Sequence, residues 1–345
     1  FLEPCDYLNA RLTGRICASY DSITAHWLTD NRNLTDVRYD PQLLGWCGLT
    51  EQQLPELVPS ASVTGTLLPA VAEEWGLTPA TQVVTATGDV HSAVVGSGAL
   101  GDFEGHLYMG TSSWLSCHLP TKRTDLLNNQ ASLPSAVPGR YFLANEHEVG
   151  GGALLWLRDQ AQMIRDVDEA NELAAAAAPG SGNVIFTPWL NGERTPVDDH
   201  TIRGGWNNVS LTTTRPDLVR SVFEGVAYNS RWLLDTVEKF IKRPLDGLNF
   251  IGGGARSDLW CQMHADVCDR VIRRVAEPQH ANARGAAFVA WLALGRQSLD
   301  ELNRAVTIER EFHPDPDGRA AYAPLYKEFT KLYKAHKPIH ARLNG

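Results

Sequence analysis

The sequence feature that most constrains the fold of this chain is a strand that runs directly into three consecutive glycines. Residues 248–251 form an apolar strand candidate, residues 252–254 are all glycine, and an amphipathic segment follows. Glycines leave the turn without side chains, so a flat ligand can lie against its backbone. The following helix presents free N–H groups and the positive end of its dipole there. No Lys-Ser or Lys-Thr pair follows, which excludes a P-loop. The pattern therefore predicts either a ligand-binding turn or a tight connection without a ligand.

A second strand-to-helix unit lies upstream, around a single aspartate. Residues 82–86 form a strand candidate, and Asp89 follows Gly88 where a helix would begin. Two interpretations are open: Asp89 caps the helix by accepting the N–H of Ser92, or it carries chemistry at the carboxyl end of a strand. Residues 107–113 show the same pattern of a strand followed by a glycine-containing turn, here with three hydroxyl side chains. Such a turn is typical of phosphate binding through backbone N–H and hydroxyl donors.

Five motifs follow one another along the chain: Gly-Asp at 88–89, Met-Gly-Thr-Ser at 109–112, Gly-Gly-Ala-Leu-Leu-Trp-Leu-Arg-Asp at 151–159, Asn-Gly-Glu-Arg-Thr-Pro at 191–196 and Gly-Gly-Gly-Ala-Arg-Ser at 252–257. In this order they resemble the FGGY family of carbohydrate kinases, with the xylulokinase branch nearest through the last two motifs. The resemblance extends over nearly the whole chain. The family's C-terminal signature is also traceable, from Gly204 to Glu224, with one departure at Asn208, where the signature usually has glycine.

The resemblance implies an α/β fold of two RNase-H-like domains, as in sugar kinases and actin, that close over a cleft. Residues 1–101 would form the rear part of the N-terminal domain, and residues 102–345 the C-terminal domain with its terminal helix. It also implies phosphoryl transfer from ATP to a sugar hydroxyl, most readily that of a ketopentose such as D-xylulose. ATP and Mg²⁺ are the implied cofactors, and a small-molecule sugar is the implied partner.

The resemblance also implies roles for individual residues. Asp89 would be the general base and contact the sugar. Val90 stands where relatives often carry Asn or Gln, and His91 would be the sugar contact that replaces that side chain, or the contact would be lost. The ATP-binding residues would be Gly110, Thr111, Gly151, Gly254 and Asp258. No protein metal ligand is implied, since Mg²⁺ would be held largely by phosphates and water.

The chain opens with Phe1 and lacks the Asp-x-Gly-Thr hairpin that the family carries near its N-terminus. Its first residues resemble a segment that relatives place late in their first domain. We therefore expect a C-terminal fragment with an incomplete first domain and little activity of its own. Such a fragment would pair with the missing N-terminal segment or with a second copy of itself.

Composition excludes several classes of protein. A net charge of −9 over 345 residues argues against a nucleic-acid or anionic-membrane partner. No apolar run approaches the roughly 18 residues of a membrane helix. The six cysteines show no framework spacing, so reduced thiols and a cytoplasmic location are expected.

Two other functions remain open at this point. The glycine spacing at residues 96–101 fits a dinucleotide-binding, NAD-dependent oxidoreductase, but it follows a helical stretch instead of a strand. The absent hairpin leaves open a non-catalytic sugar- or nucleotide-binding module.

Three further patterns give structural predictions. Cys261, His264 and Cys268 share one helix face, which favours a core position over a metal site. Glu193 and Arg194 are predicted to form an ion pair that fixes their loop. Residues 121–138 are polar and contain prolines, so a loop is predicted there.

Overall fold

The computed structural model describes residues 1–345 and has an α/β fold, as the sequence predicts. Its sixteen strands are β1 (Cys17–Ser19), β2 (Thr29–Asp30), β3 (Arg38–Tyr39), β4 (Glu56–Val58), β5 (Val63–Thr66), β6 (Gln82–Val84), β7 (Gly105–Met109), β8 (Ser113–Leu119), β9 (Thr124–Asp125), β10 (Gln130–Pro134), β11 (Tyr141–Ala144), β12 (Ile185–Thr187), β13 (Gly205–Asn207), β14 (Gly247–Ile251), β15 (Val271–Val275) and β16 (Ile308–Phe312).

Eleven α-helices accompany these strands. They are α1 (Pro4–Thr13), α2 (Pro41–Cys47), α3 (Pro69–Trp75), α4 (Asp89–Gly96), α5 (Gly152–Asp159), α6 (Val167–Ala176), α7 (Arg215–Ile241), α8 (Asp258–Cys268), α9 (Ala281–Ala293), α10 (Leu299–Ala305) and α11 (Pro316–Asn344).

An eight-stranded mixed sheet organises the second part of the chain, in the order β16-β15-β14-β7-β8-β11-β10-β9. Strand β14 pairs in parallel with β7 and β15, and the other neighbours are antiparallel. The register places Ile251 opposite Tyr108. Because β7 and β14 end side by side, the turn after Met109 and the triple-glycine turn meet at one edge of the sheet.

The loop prediction for residues 121–138 is wrong, because the segment contains β9 and β10. Ala131 pairs with Ala144 on one side and with Thr124 on the other. Backbone pairing on both sides outweighs the polar composition, since strand preference depends strongly on context.

Helix α7 forms the centre of the main core. Its N-terminus carries a capping box between Thr214 and Asp217, and its apolar residues belong to a cluster of 43 buried residues. Apolar residues such as Leu218, Val222 and Val226 recur at helical spacing and predict a helix over residues 216–240, which the structure confirms. The long buried helix supports the sheet from which the glycine turns project.

Helix α4 is packed against α9 at two small residues. A side chain at Gly96 would collide with the backbone of Ala281, and one at Gly285 would collide with Ser92. Glycine is therefore required at residue 96 for helix packing, which does not support the dinucleotide interpretation of residues 96–101. The crossing ties the helix that starts with Asp89 to the second part of the chain.

Candidate active site

Two pockets contain most of the residues that the sequence singles out. The first, which we call the glycine pocket, has a volume of about 380 Å³. Its lining residues are Met109, Gly110, Thr111, Gly151, Leu154, Leu155, Val167, Asp168, Asn171, Phe223, Gly253, Gly254, Arg256, Ser257 and Trp260. The fold thus brings together four of the five predicted ATP-binding residues, from three separate motifs. Its size is that of a small-molecule site.

The turn between β7 and β8 forms one wall of the glycine pocket. Gly151 donates its N–H to the carbonyl of Gly110 at 2.7 Å, and Gly150 donates to that of Thr111 at 2.7 Å. A Cβ on Gly151 would lie 2.6 Å from the Gly110 carbonyl oxygen. The glycines of the third motif therefore let the start of α5 lie directly on the turn.

The triple-glycine turn forms the opposite wall, and its three residues differ in whether there is space for a side chain. Gly252 has φ of 89°, and a Cβ there would lie 2.5 Å from the carbonyl oxygen of Met109. A Cβ on Gly254 would lie 2.8 Å from the Cβ of Met109. Gly253 has no atom within 4 Å of that position. Packing thus explains Gly252 and Gly254, while Gly253 lines the pocket with open space at its Cβ position.

Apolar side chains and one cation complete the glycine pocket. Trp260 donates its indole N–H to the carbonyl of Phe223 at 3.0 Å, which fixes the ring in the wall. Arg256 is the only basic residue in the lining, and it is exposed. Sequence reasoning missed both, although Arg256 belongs to the Gly-Gly-Gly-Ala-Arg-Ser motif. The combination suits a flat ring with an anionic extension.

Asp258, the fifth predicted ATP-binding residue, does not line the glycine pocket. Its carboxylate accepts hydrogen bonds from Arg274 and Arg310. Ser257 caps α8 by accepting the N–H of Trp260 at 3.1 Å. At the start of α8, the Asp258 carboxylate is therefore paired with arginines of β15 and β16.

The second pocket, which we call the Asp89 pocket, has a volume of about 760 Å³. Its lining residues are Glu3, Cys5, Ser22, Thr24, Ala25, Trp27, Gly88, Asp89, Val90, His91, Thr124, Asp125, Leu126, Asn129, Gln130, Ala131, Leu133, Phe142, Ala144, Asn145, Glu146, Arg194 and Thr195. Residues near the start of the chain and residues of the large sheet therefore share one site.

Asp89 is the first residue of α4, and it is exposed. The N-cap is Gly88, whose carbonyl accepts the Ser92 N–H at 2.9 Å. The predicted cap from the Asp89 side chain to Ser92 is thus wrong. Its Oδ1 accepts only the adjacent Val90 N–H, at 2.7 Å. The carboxylate therefore remains available to a ligand.

Tyr108 lies against the β7–β8 turn. Burial, and to a smaller extent the charge of Asp89, raises the pKa of Tyr108. A Cβ on Gly110 would lie 2.5 Å from the Tyr108 hydroxyl. The tyrosine thus contacts the turn and lies within electrostatic reach of Asp89.

His91 lines the same pocket as Asp89. Its ring packs edge-on against Phe142, with 4.5 Å between the centroids. Burial lowers the pKa of His91, against the opposing effects of Asp21 and Asp89. Its Nε2 atom is buried and has no protein partner. Burial therefore favours the neutral imidazole, which lines the pocket beside Asp89.

The loop with Glu193 and Arg194 does not form the predicted ion pair. Arg194 instead pairs with Glu146 and Glu148. Glu193 is buried, accepts the Asn229 amide at 2.6 Å and accepts the backbone N–H groups of Glu148 and Arg194. Burial raises the pKa of Glu193 to about 7. The loop is fixed through its backbone, and Arg194 reaches the Asp89 pocket with its charge already paired.

The cysteine and histidine face of α8 lies in the core. His264 is buried and has ring nitrogens 2.8 Å from the Trp260 carbonyl and 3.3 Å from the Ser230 hydroxyl. Cys261 and Cys268 are also buried. The core interpretation is confirmed. The protein contains no group of three or more His, Cys, Asp or Glu side chains arranged to hold a metal ion.

Comparison with known proteins assigns the family. Residues 105–294 match the C-terminal domain of the FGGY family of carbohydrate kinases, and residues 1–96 match its N-terminal domain. The chain belongs to this family. Xylulose kinase from Escherichia coli (strain K12) is 31% identical over 349 residues, which cover 99% of this chain and 69% of that protein.

Solved structures agree on the fold of this FGGY kinase. Ligand-bound xylulose kinase from Lactobacillus acidophilus superposes with a TM-score of 0.88 at 24% identity, covering 98% of this chain and 68% of that chain. Gluconate kinase from the same organism gives a TM-score of 0.88 at 24% identity, with coverage of 98% and 68%. The fold is therefore that of the sugar kinases. No helix of the protein is both long and apolar enough to cross a membrane.

The expectation of a C-terminal fragment with an incomplete first domain is not supported, because residues 1–96 match the family's N-terminal domain. Inactivity as an isolated chain, and pairing with a missing segment or a second copy, depended on that expectation and are not supported either. The predicted division after residue 101 falls between the two matched ranges and stays a prediction.

Proposed function

We propose that this FGGY kinase transfers the γ-phosphoryl group of ATP to a hydroxyl of a neutral sugar, and that a ketopentose such as D-xylulose is the substrate. The observation that carries the proposal is the carboxylate of Asp89, which is exposed in a pocket and accepts a hydrogen bond only from the adjacent Val90 N–H. An alcohol is a weak nucleophile, so a carboxylate within reach of its proton is what the reaction needs. The xylulose kinase relatives support the choice of sugar.

The residues of the glycine pocket would bind ATP. Gly110 and Thr111 contribute the turn that contacts phosphates, and the exposed Arg256 adds a positive charge on the same pocket. Gly151 and Gly254 allow close approach of backbone segments, and Gly253 lines the pocket with open space at its Cβ position. The arginine partners of Asp258 support a structural role for it. Most of the catalysis would then consist of positioning and charge neutralisation.

Magnesium would enter with ATP. We expect the ion to be held mainly by phosphates and water. When bound, the ion neutralises charge on the transferred phosphoryl group. The six free cysteines support a reducing, cytoplasmic setting.

The charge of the Asp89 pocket supports a neutral substrate over a sugar acid. Four carboxylates line the pocket, and its one guanidinium, that of Arg194, is already paired with Glu146 and Glu148. These carboxylates belong to Glu3, Asp89, Asp125 and Glu146. A substrate carboxylate about 4 Å from one of them meets a repulsion of about 1 to 4 kcal/mol, depending on screening.

ADP release tests the proposal directly. The purified protein is assayed with ATP, Mg²⁺ and a panel that contains D-xylulose, other ketoses and D-gluconate. We expect turnover with a ketopentose and a much lower kcat/KM for gluconate. Turnover that favours gluconate, or no turnover with any neutral sugar, would show that the proposed substrate class is wrong.

A further inference from the structure

The single guanidinium of the Asp89 pocket is held by two carboxylates of the protein. Arg194 is the only arginine or lysine in the lining, and its Nη1 atom lies 2.5 Å from Oε2 of Glu146. Its Nε atom lies 2.5 Å from Oε2 of Glu148. A guanidinium binds the carboxylate of a ligand through the same atoms. The protein's own carboxylates therefore occupy the group that would otherwise attract an acidic substrate.

The ion pair between Arg194 and Glu146 is open to solutes. The exposed fraction is 46% for the Arg194 side chain and 37% for that of Glu146, and both residues line the pocket. Glu148 is only 17% exposed, lies outside the lining and accepts the Asn191 amide at 2.8 Å. Glu148 therefore anchors the arginine to its surroundings, whereas Glu146 pairs with it where a ligand can reach both groups.

The backbone that carries Arg194 is fixed independently of this ion pair. The Arg194 N–H donates to the buried Glu193 carboxylate at 2.9 Å, and its carbonyl accepts the Asn129 amide at 3.0 Å. The neighbouring Thr195 hydroxyl donates to the Asn129 carbonyl at 3.3 Å. None of these bonds involves the Glu146 side chain. Removing the charge of Glu146 should therefore free the guanidinium and leave its loop in place.

We propose that Glu146 determines substrate specificity by keeping the guanidinium of Arg194 from binding acidic sugars. The inference rests on the proposed function and assigns the exclusion of acids to one ion pair of the pocket. With Glu146 ionised, a sugar carboxylate meets a negative charge beside a guanidinium that is already neutralised. Without that charge, the exposed guanidinium can donate hydrogen bonds to the acid. A neutral sugar gains no comparable ion pair, so its binding should depend little on Glu146.

Glu146→Gln tests the proposal, because glutamine keeps the length and shape of the side chain and removes its charge. In calorimetric titration, the Kd for D-gluconate should fall on the order of tenfold relative to the wild type, the effect of removing one unit charge at a partly exposed site. The kcat/KM for D-gluconate should rise by a similar factor. The Kd for D-xylulose and the melting temperature should change little, since exposed ion pairs contribute little to stability.

Arg194→Gln separates the role of the guanidinium from that of the negative charge alone. In the double variant of Arg194→Gln and Glu146→Gln, the gain in gluconate affinity should disappear, because the group that was freed is gone. An equal gain with and without Arg194 would mean simple loss of repulsion and would contradict the proposal. Glu146→Asp keeps the charge and should still exclude gluconate. Admission of gluconate by Glu146→Asp would assign the effect to shape instead of charge.

Glu56→Gln is the matched control. Glu56 pairs with the exposed Arg15 at 2.8 Å, and neither residue lines the Asp89 pocket. This variant changes the net charge of the protein by the same amount and also frees an exposed arginine. We expect unchanged Kd values for both sugars. A gain in gluconate affinity equal to that of Glu146→Gln would show that overall charge is responsible, and the proposal would be wrong.

The outcomes separate this inference from the proposed function. If the wild type phosphorylates D-xylulose and Glu146→Gln keeps the gluconate Kd, the specificity role is wrong and the proposed function stands. If no neutral sugar is turned over but Glu146→Gln gains gluconate affinity through Arg194, the proposed substrate class is wrong and the role of Glu146 stands. Loss of affinity for both sugars with a lowered melting temperature would assign Glu146 to the framework and overturn the inference. A selective gain for gluconate that depends on Arg194 supports it.

Discussion

Two adjacent glycines of the triple-glycine turn should respond in opposite ways to the same substitution. Gly253 lines the glycine pocket, and a valine there meets no protein atom near its Cβ, so we expect its side chain to narrow the pocket. A valine at residue 254 would place its Cβ 2.8 Å from the Cβ of Met109 and 3.1 Å from the Trp260 ring. We therefore expect Gly253→Val to weaken nucleotide binding and Gly254→Val to destabilise the fold.

The magnitudes follow from these contacts. In Gly253→Val, the new side chain displaces part of the ligand. Each CH₂-sized contact that is lost weakens the binding free energy of ATP by about 0.8 kcal/mol, so the loss of two contacts raises the Kd for ATP roughly tenfold. Overpacking against Met109 in Gly254→Val costs about 1–3 kcal/mol, which lowers the melting temperature by several degrees. The Asp89 pocket contains neither glycine, so sugar affinity should change little in the first variant.

Calorimetric titration with ATP and with the sugar, together with thermal unfolding, distinguishes the two effects. Gly45→Val is the control, because Gly45 is exposed on α2 and its Cβ position is also free of neighbours. An unchanged ATP affinity in Gly253→Val would refute the assignment of this wall to the nucleotide. A fully stable Gly254→Val variant would contradict the packing argument.

Two predictions concern carboxylates. Asp89→Asn should lower kcat by ~10²–10⁴-fold while sugar affinity is retained, because the amide keeps the shape but cannot take the proton. Near-normal turnover in a coupled ADP assay would show that Asp89 is not the general base. Burial, reinforced by the charges of Asp21 and Glu3, raises the pKa of Asp6 to about 7. The pKa of Asp6 is therefore higher in the folded protein than in the unfolded chain. Its contribution to the free energy of unfolding is complete below about pH 4 and is lost as the pH rises through 7. In urea unfolding between about pH 5 and pH 8, Asp6→Asn should remove this part of the pH dependence of the free energy of unfolding. An equal change of that free energy with pH in the variant and the wild type would contradict the prediction.

Local patterns determined the elements and their chemistry. The strand before Gly252, the helix after Ser257 and the turn at Gly110 are visible in the sequence, because apolar periodicity, glycines and capping residues act over a few neighbouring positions. The long α7 helix was predictable for the same reason. The order of the motifs also indicated the family, which the comparisons confirm.

Only the tertiary structure decided which side chains serve the pockets. Gln130 lies in a segment with the composition of a loop, and its strand exists because β9 and β11 supply partners from either side. Asp258 follows the glycines but turns to the arginines of β15 and β16. Gly253 and Gly254 look equivalent in sequence, and the position of Met109 on a strand distant in the chain makes them different. A sequence determines such contacts only through the packing of remote segments, because a side chain's partners depend on the whole fold.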